Sequence, residues 1–148
     1  MKIYRIPENL KAIIFDMDGT LYTSPEYLAH QDKRQISRYA QEKGIDAEEA
    51  VNEFDSFRKK WSLEHEGKKI SLANTFVEHG IPIEKVFKWR NELADPEDFI
   101  KKDEKLRKSL LVLQEKYKLL VVTNNSHVAA CKTLKALGVD DLLKTVVA

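Results

Sequence analysis

Two carboxylates stand two residues apart in Asp16-Met17-Asp18-Gly19-Thr20-Leu21, immediately after the apolar run Ala12-Ile13-Ile14-Phe15. Carboxylates crowded in this way repel one another unless a cation or a shared proton relieves them. The pair therefore asks for Mg²⁺ or for a division into acid and base roles. Gly19 lets the chain turn sharply away, and Thr20 is placed to hydrogen-bond across that turn and hold the two side chains apart. A second polar cluster, Thr123-Asn124-Asn125-Ser126, follows the run Leu119-Leu120-Val121-Val122. A bare Asp-x-Asp at a strand end is more often a solvated turn than a site, so the elements around the pair must decide.

The run before Asp16 is short, β-branched and aromatic, and it stops abruptly, which predicts a buried strand over 11–16. The run 119–122 has the same form, and Thr145-Val146-Val147-Ala148 begins a third strand. Between the first two the pattern is helical. Ser24 before Pro25 is an N-cap signal, and Leu28, Ile36, Tyr39 and Ala40 share one face of the helix that runs from there to Gly44. Asp46 and Glu49 resemble a capping box, and Ala47, Ala50, Val51, Phe54, Phe57 and Trp61 then recur at three and four, a stripe that reads as core. Shorter helices are expected at 70–79 and 82–94, and Asp103 opens another whose Leu106, Leu110, Leu113 and Tyr117 face inward. Gly44, Gly80 and Gly138 each end a helical pattern and precede an apolar residue.

Strands joined through a helix predict an α/β fold with a parallel, doubly wound sheet, 1–21 and 100–148 forming the core and 22–99 a helical insertion. Ligands of such sheets bind outside the carboxyl ends of the strands, just after Phe15 and just after Val122.

Composition narrows the function classes. The 148 residues carry 43% hydrophobic residues and a net charge of +1, which argues against a disordered chain and against a nucleic-acid binder. No apolar run approaches membrane-spanning length, and Met1 to Pro7 has no signal-peptide pattern, so a cytoplasmic protein is expected. The single cysteine, Cys131, is read as a small core residue. His30, His65, His79 and His127 lack metal-ligand spacing and are read as surface residues. The basic run Lys101, Lys102, Lys105, Arg107 and Lys108, interrupted by Asp103 and Glu104, is read as a solvated helix face. Trp61, His65 and Trp89 are read as packing residues of the insertion rather than a substrate pocket.

The apolar strand followed by D-x-D-G-T-L resembles the first motif of the haloacid dehalogenase superfamily. Five positions at about 5% frequency each make a chance match roughly one in ten thousand. Leu119 to Thr123 is similar to the second motif, so the resemblance runs from about Lys11 to Ala148, and it implies a Rossmann-like sheet, here of about three strands, with an inserted helical cap. It also implies roles. Asp16 would be the nucleophile that forms an aspartyl phosphate. Asp18 would be the general acid and base, and the Asp16 carboxylate and Asp18 backbone carbonyl would bind Mg²⁺. Thr123, with the Asn124 amide and with Thr20, would bind the phosphoryl group at the N-terminus of the next helix, and Met17 would contribute only its amide. Retention of the second aspartate favours phosphoryl transfer over dehalogenation, and phosphatase over phosphomutase. The substrate implied is a small phosphorylated metabolite, such as a nucleotide or sugar phosphate. Tyr22 and Asn124-Asn125-Ser126 look somewhat like the branch containing pyrimidine nucleotidases.

Two further motifs of the superfamily, a lysine after a third loop and an acidic pair after a fourth strand, do not occur in this sequence. Asp140-Asp141 follows a helix stop rather than an apolar strand and is rejected as that pair. Slight activity is therefore expected from the chain alone. In the family the absent strands lie beyond the first strand, so 11–16 would form an exposed apolar edge able to pair with a missing C-terminal segment or another chain. Three explanations follow: a fragment of a longer phosphatase, which is favoured; a remainder supplied by another chain; or a truncated relative serving as a binding module.

Overall fold

The computed structural model describes residues 9–148, so the reading of Met1 to Pro7 lies outside the described residues. The chain divides into two compact units, Met1–Ser24 with Asp95–Ala148, and Pro25–Ala94.

The first unit is built on three parallel strands, β1 (Ala12–Phe15), β2 (Lys118–Val122) and β3 (Thr145–Val147), in the order β1-β2-β3. Ile14 pairs with Leu120 and Phe15 with Val121, while Val121 pairs in turn with Val146. Two helices numbered here by their order in the whole chain, α5 (Glu104–Gln114) and α6 (His127–Leu137), pack on β2 and β3 respectively. Leu119 and Val121 are buried and alternate with exposed Val122, so the sheet buries one face. β1 was expected to be a buried strand, yet its Ile14 is 64% exposed, on the same open face as Val122 and Val147. Among the described residues, β1 pairs with β2 alone.

Tertiary contacts also correct two readings of single residues here. α6 turns Ala129, Ala130, Thr133, Leu134 and Leu137 inward, which leaves Cys131 exposed with its Sγ 3.7 Å from Nδ1 of His127, one turn away. Arg107 leaves the solvated basic run. Its guanidinium forks onto Asp141 at 2.6 and 2.7 Å and donates to the Gly138 carbonyl at 2.8 Å, tying α5 to the turn after α6. That fork holds the Asp141 carboxyl below its ordinary value and occupies both of its oxygens.

The second unit comprises α1 (Pro25–Lys43), α2 (Ala47–Glu64), α3 (Leu72–Glu78) and α4 (Ile83–Leu93). Asp46 caps α2 by accepting from the Glu48 amide at 2.8 Å, and Ser71 caps α3 through the Asn74 amide at 3.1 Å. The core joins Ile36, Tyr39, Phe54, Phe76, Val86 and Trp89, with the Phe54 and Phe76 ring centroids 5.0 Å apart and Phe76 and Trp89 5.6 Å apart. Trp89 is thus a packing residue, and Trp61 stacks on His65 at 3.8 Å. Leu28 was expected inward but is exposed, because α1 turns the adjacent Tyr27 inward instead, and the next residue on a helix points about 100° away. His79 is the converse case. It continues the Leu72, Thr75, Phe76 face of α3, packs its ring 4.6 Å from Phe54 and sets Nδ1 2.7 Å from the Thr75 carbonyl oxygen. In the same unit, burial pushes the Asp32 carboxyl up against the opposing pull of Arg58 and Arg90. Among the described residues, no helix is long and apolar enough to cross a membrane.

Candidate active site

The strand alternation of β1 continues past its last residue. Asp16 is exposed, Met17 is fully buried and Asp18 is half-buried, so the carboxylates leave the fold while the side chain between them anchors it. Met17 also organises the turn through its carbonyl, which accepts from the Thr20 amide at 3.2 Å and the Leu21 amide at 3.0 Å. Gly19 has φ +78°, a conformation that a Cβ would strain, and its amide donates to the Tyr22 carbonyl at 2.8 Å. Leu21 returns to the core at 5% exposure. The loop is thus closed on itself and pinned at Met17 and Leu21.

Beside it, β2 delivers the second cluster. The register that sets Phe15 opposite Val121 makes Asp16 and Val122 the next residues on their two chains, and Thr123 follows, buried, with its amide donating to the Val147 carbonyl at 2.9 Å. The Thr123 hydroxyl oxygen accepts from the Asn125 amide at 3.1 Å, which leaves the hydroxyl proton to be donated. Asn124 is exposed. Ser126 caps α6 by accepting from the Ala129 amide at 3.3 Å, so the first turn of that helix opens at the same strand end.

The structure brings Asp16, Asp18, Thr123 and Asn124 to the carboxyl ends of two neighbouring strands. Thr20 lies in the turn, exposed, and closes it through its backbone. The restraint on Asp18 comes instead from two residues to which the sequence reading gave no part in it. The Tyr22 hydroxyl donates to Oδ1, and the Asn125 side-chain amide donates to Oδ2 at 2.6 Å. Neither contact was legible from spacing. Tyr22 reaches Asp18 because the turn folds back, and Asn125 reaches it across 107 positions through the pairing of β1 with β2.

The donors suit a hard divalent cation. The Asp16 carboxylate and the Asp18 backbone carbonyl are two oxygen donors on one turn that would hold such an ion, since Mg²⁺ characteristically takes one or two carboxylates, keeps waters and adds phosphate oxygens. The Asp18 side chain is engaged by Tyr22 and Asn125. Among the described residues, no cluster of three or more His, Cys, Asp or Glu is gathered for a metal.

Comparison with known proteins follows the same residues. A family model described as haloacid dehalogenase-like hydrolase matches residues 10–148. Among solved structures, the chain is similar to one of the HAD-hydrolase assignment YfnB from Bacillus subtilis, determined with magnesium bound, at 16% identity and a TM-score of 0.46. The match covers 94% of this chain and 65% of that one, so this chain spans less than two thirds of its length.

Proposed function

Because the chain belongs to the family of haloacid dehalogenase-like hydrolases, we propose that its site serves Mg²⁺-dependent hydrolysis of phosphomonoesters through an aspartyl phosphate. The observation that supports this reading most is the division of labour between the two aspartates. Asp16 is exposed and points away from the core, whereas Asp18 is half-buried and held by donors on both oxygens. A nucleophile needs the first environment and a proton-transfer group the second.

In this reading the Asp16 carboxylate attacks phosphorus, the ester P–O bond breaks, and the departing oxygen takes a proton from Asp18. Asp18 then accepts a proton from the water that attacks the aspartyl phosphate, releasing phosphate and restoring Asp16. The Thr123 hydroxyl donates to a phosphoryl oxygen, with the Asn124 and α6 first-turn amides beside it. Bound at the Asp16 carboxylate and Asp18 carbonyl, Mg²⁺ would neutralise phosphoryl charge. The substrate class is a small phosphorylated metabolite, and the helical unit inserted between β1 and α5 corresponds in this reading to the family's cap insertion.

The test is Mg²⁺-dependent phosphate release from an aryl phosphate, compared with Asp16→Asn. Loss of essentially all turnover is expected, and turnover retained by the variant would remove Asp16 as nucleophile. An independent arm measures melting temperature with Mg²⁺ and inorganic phosphate. A rise supports the site even where turnover is slight, and no response to either would count against it.

A further inference from the structure

The carboxylate of Asp18 is met from two directions, by a hydroxyl four residues on in its own turn and by an amide from the loop after β2. These donors differ in what they permit. The Asn125 Nδ2 group can only donate, so Oδ2 facing it at 2.6 Å must accept and cannot direct a proton toward it. The Tyr22 hydroxyl can turn from donor to acceptor, so Oδ1 can hold a proton and keep its neighbour. We propose that Tyr22 and Asn125 are positioning residues that fix the Asp18 carboxyl, one on each oxygen, and leave Oδ1 as the oxygen able to carry the proton, an assignment that rests on the phosphatase reading above.

The proton balance is explicit. In ester cleavage, Oδ1–H gives its proton to the departing alkoxide and the Tyr22 hydroxyl swings to donate to the resulting carboxylate. In hydrolysis, Oδ1 takes a proton from water and the hydroxyl swings back. Asn125 donates to Oδ2 throughout. Both holders belong to the unit that carries Asp16 and Thr123, and Asn125 is bonded through its own amide to the Thr123 hydroxyl oxygen at 3.1 Å. Placement of the acid is thereby linked to placement of the phosphoryl-binding hydroxyl.

The test exploits leaving-group basicity. Protonation matters for an alkyl phosphate, whose alkoxide leaves poorly, and hardly at all for 4-nitrophenyl phosphate, and kcat/KM reports only the steps through ester cleavage. For Tyr22→Phe and Asn125→Ala, the loss in kcat/KM should be at least tenfold greater on ethyl phosphate than on 4-nitrophenyl phosphate. Equal losses on both esters would mean a merely structural role and overturn the proposal. NMR of the Asn125 side-chain amide provides the arm that needs no turnover. Its resonances should move toward those of a free asparagine in Asp18→Ala, and unchanged resonances would refute the contact itself. If Asp16→Asn cleaves both esters, the phosphatase reading fails and the positioning role with it. The NMR result still separates that failure from an error in the geometry.

Discussion

Met17 offers the sharpest test of how the site is held. It lies between the two aspartates, is 0% exposed, and its backbone carbonyl closes the turn onto Thr20 and Leu21. Truncation to alanine removes most of a fully buried side chain, a transfer loss of about 2 kcal/mol. The roughly 70 Å³ vacated, at about 24 cal/mol per Å³ if the surroundings do not collapse, adds up to about 1.7 kcal/mol. Met17→Ala should therefore cost about 3 kcal/mol, whereas Met17→Leu, which nearly conserves volume, should cost less than about 1.5 kcal/mol. Both tryptophans, Trp61 and Trp89, belong to the helical unit, so their fluorescence does not report the sheet directly. Urea unfolding followed by hydrogen exchange of peptides covering β1 and β2 is the suitable assay, with peptides from α2 as the internal reference. Protection of β1 and β2 should fall by about two orders of magnitude, the equivalent of about 3 kcal/mol. A loss below about 0.5 kcal/mol in Met17→Ala would refute the view that this side chain anchors the turn between the two aspartates.

Three other expectations follow from particular contacts. Gly138 ends α6 at φ +73°, and an added Cβ would stand 3.2 Å from the flexible Lys102 side chain, which can move aside. Gly138→Ala should thus lose about 1 kcal/mol from backbone strain and Gly138→Asn less, as read by urea midpoints. The Arg107 fork lowers the Asp141 carboxyl, so the folded state binds fewer protons than the unfolded chain across the acid range. Its stabilisation is complete above the ordinary carboxylate range and is lost as pH falls through the lowered value. The midpoint difference between the unmodified chain and Arg107→Ala should shrink on acidification, and a difference independent of pH would exclude the fork as its source. Burial raises the Asp32 carboxyl, and the sign reverses. The folded state keeps that proton longer, so stability declines as pH rises above the ordinary carboxylate value, and Asp32→Asn should flatten that decline in urea midpoints measured from pH 4 to 7.

Much of the molecule was legible because local signals and tertiary needs agree. An apolar run broken by Asp16-Met17-Asp18-Gly19-Thr20 is both a strand end and the start of a turn, and Gly138 closes α6 with a positive φ that its type allows. The residues misread are those whose environment is made by partners distant in sequence. Cys131 is small and lies in a helix with an apolar face, yet α6 meets its neighbours along Ala130, Leu134 and Leu137 and leaves the thiol outside. His79 was read as a surface residue, but α3 packs along the line that ends on it. Arg107 sits in a basic run whose lysines are solvated, and the return of the chain after Gly138 places Asp141 within its reach.

From sequence alone came the site's chemistry: which residues are carboxylates, how far apart they stand, and that a strand must present them beside a second strand ending in Thr123. Tertiary structure decided how those groups are held. The parallel register of β1 and β2 brings Asn125 onto Asp18, and the fold-back of the turn brings Tyr22 onto its other oxygen. Spacing along a chain specifies what a strand end can offer. A hydrogen bond across 107 positions exists only once the strands have paired, because it is their register that sets which side chains meet.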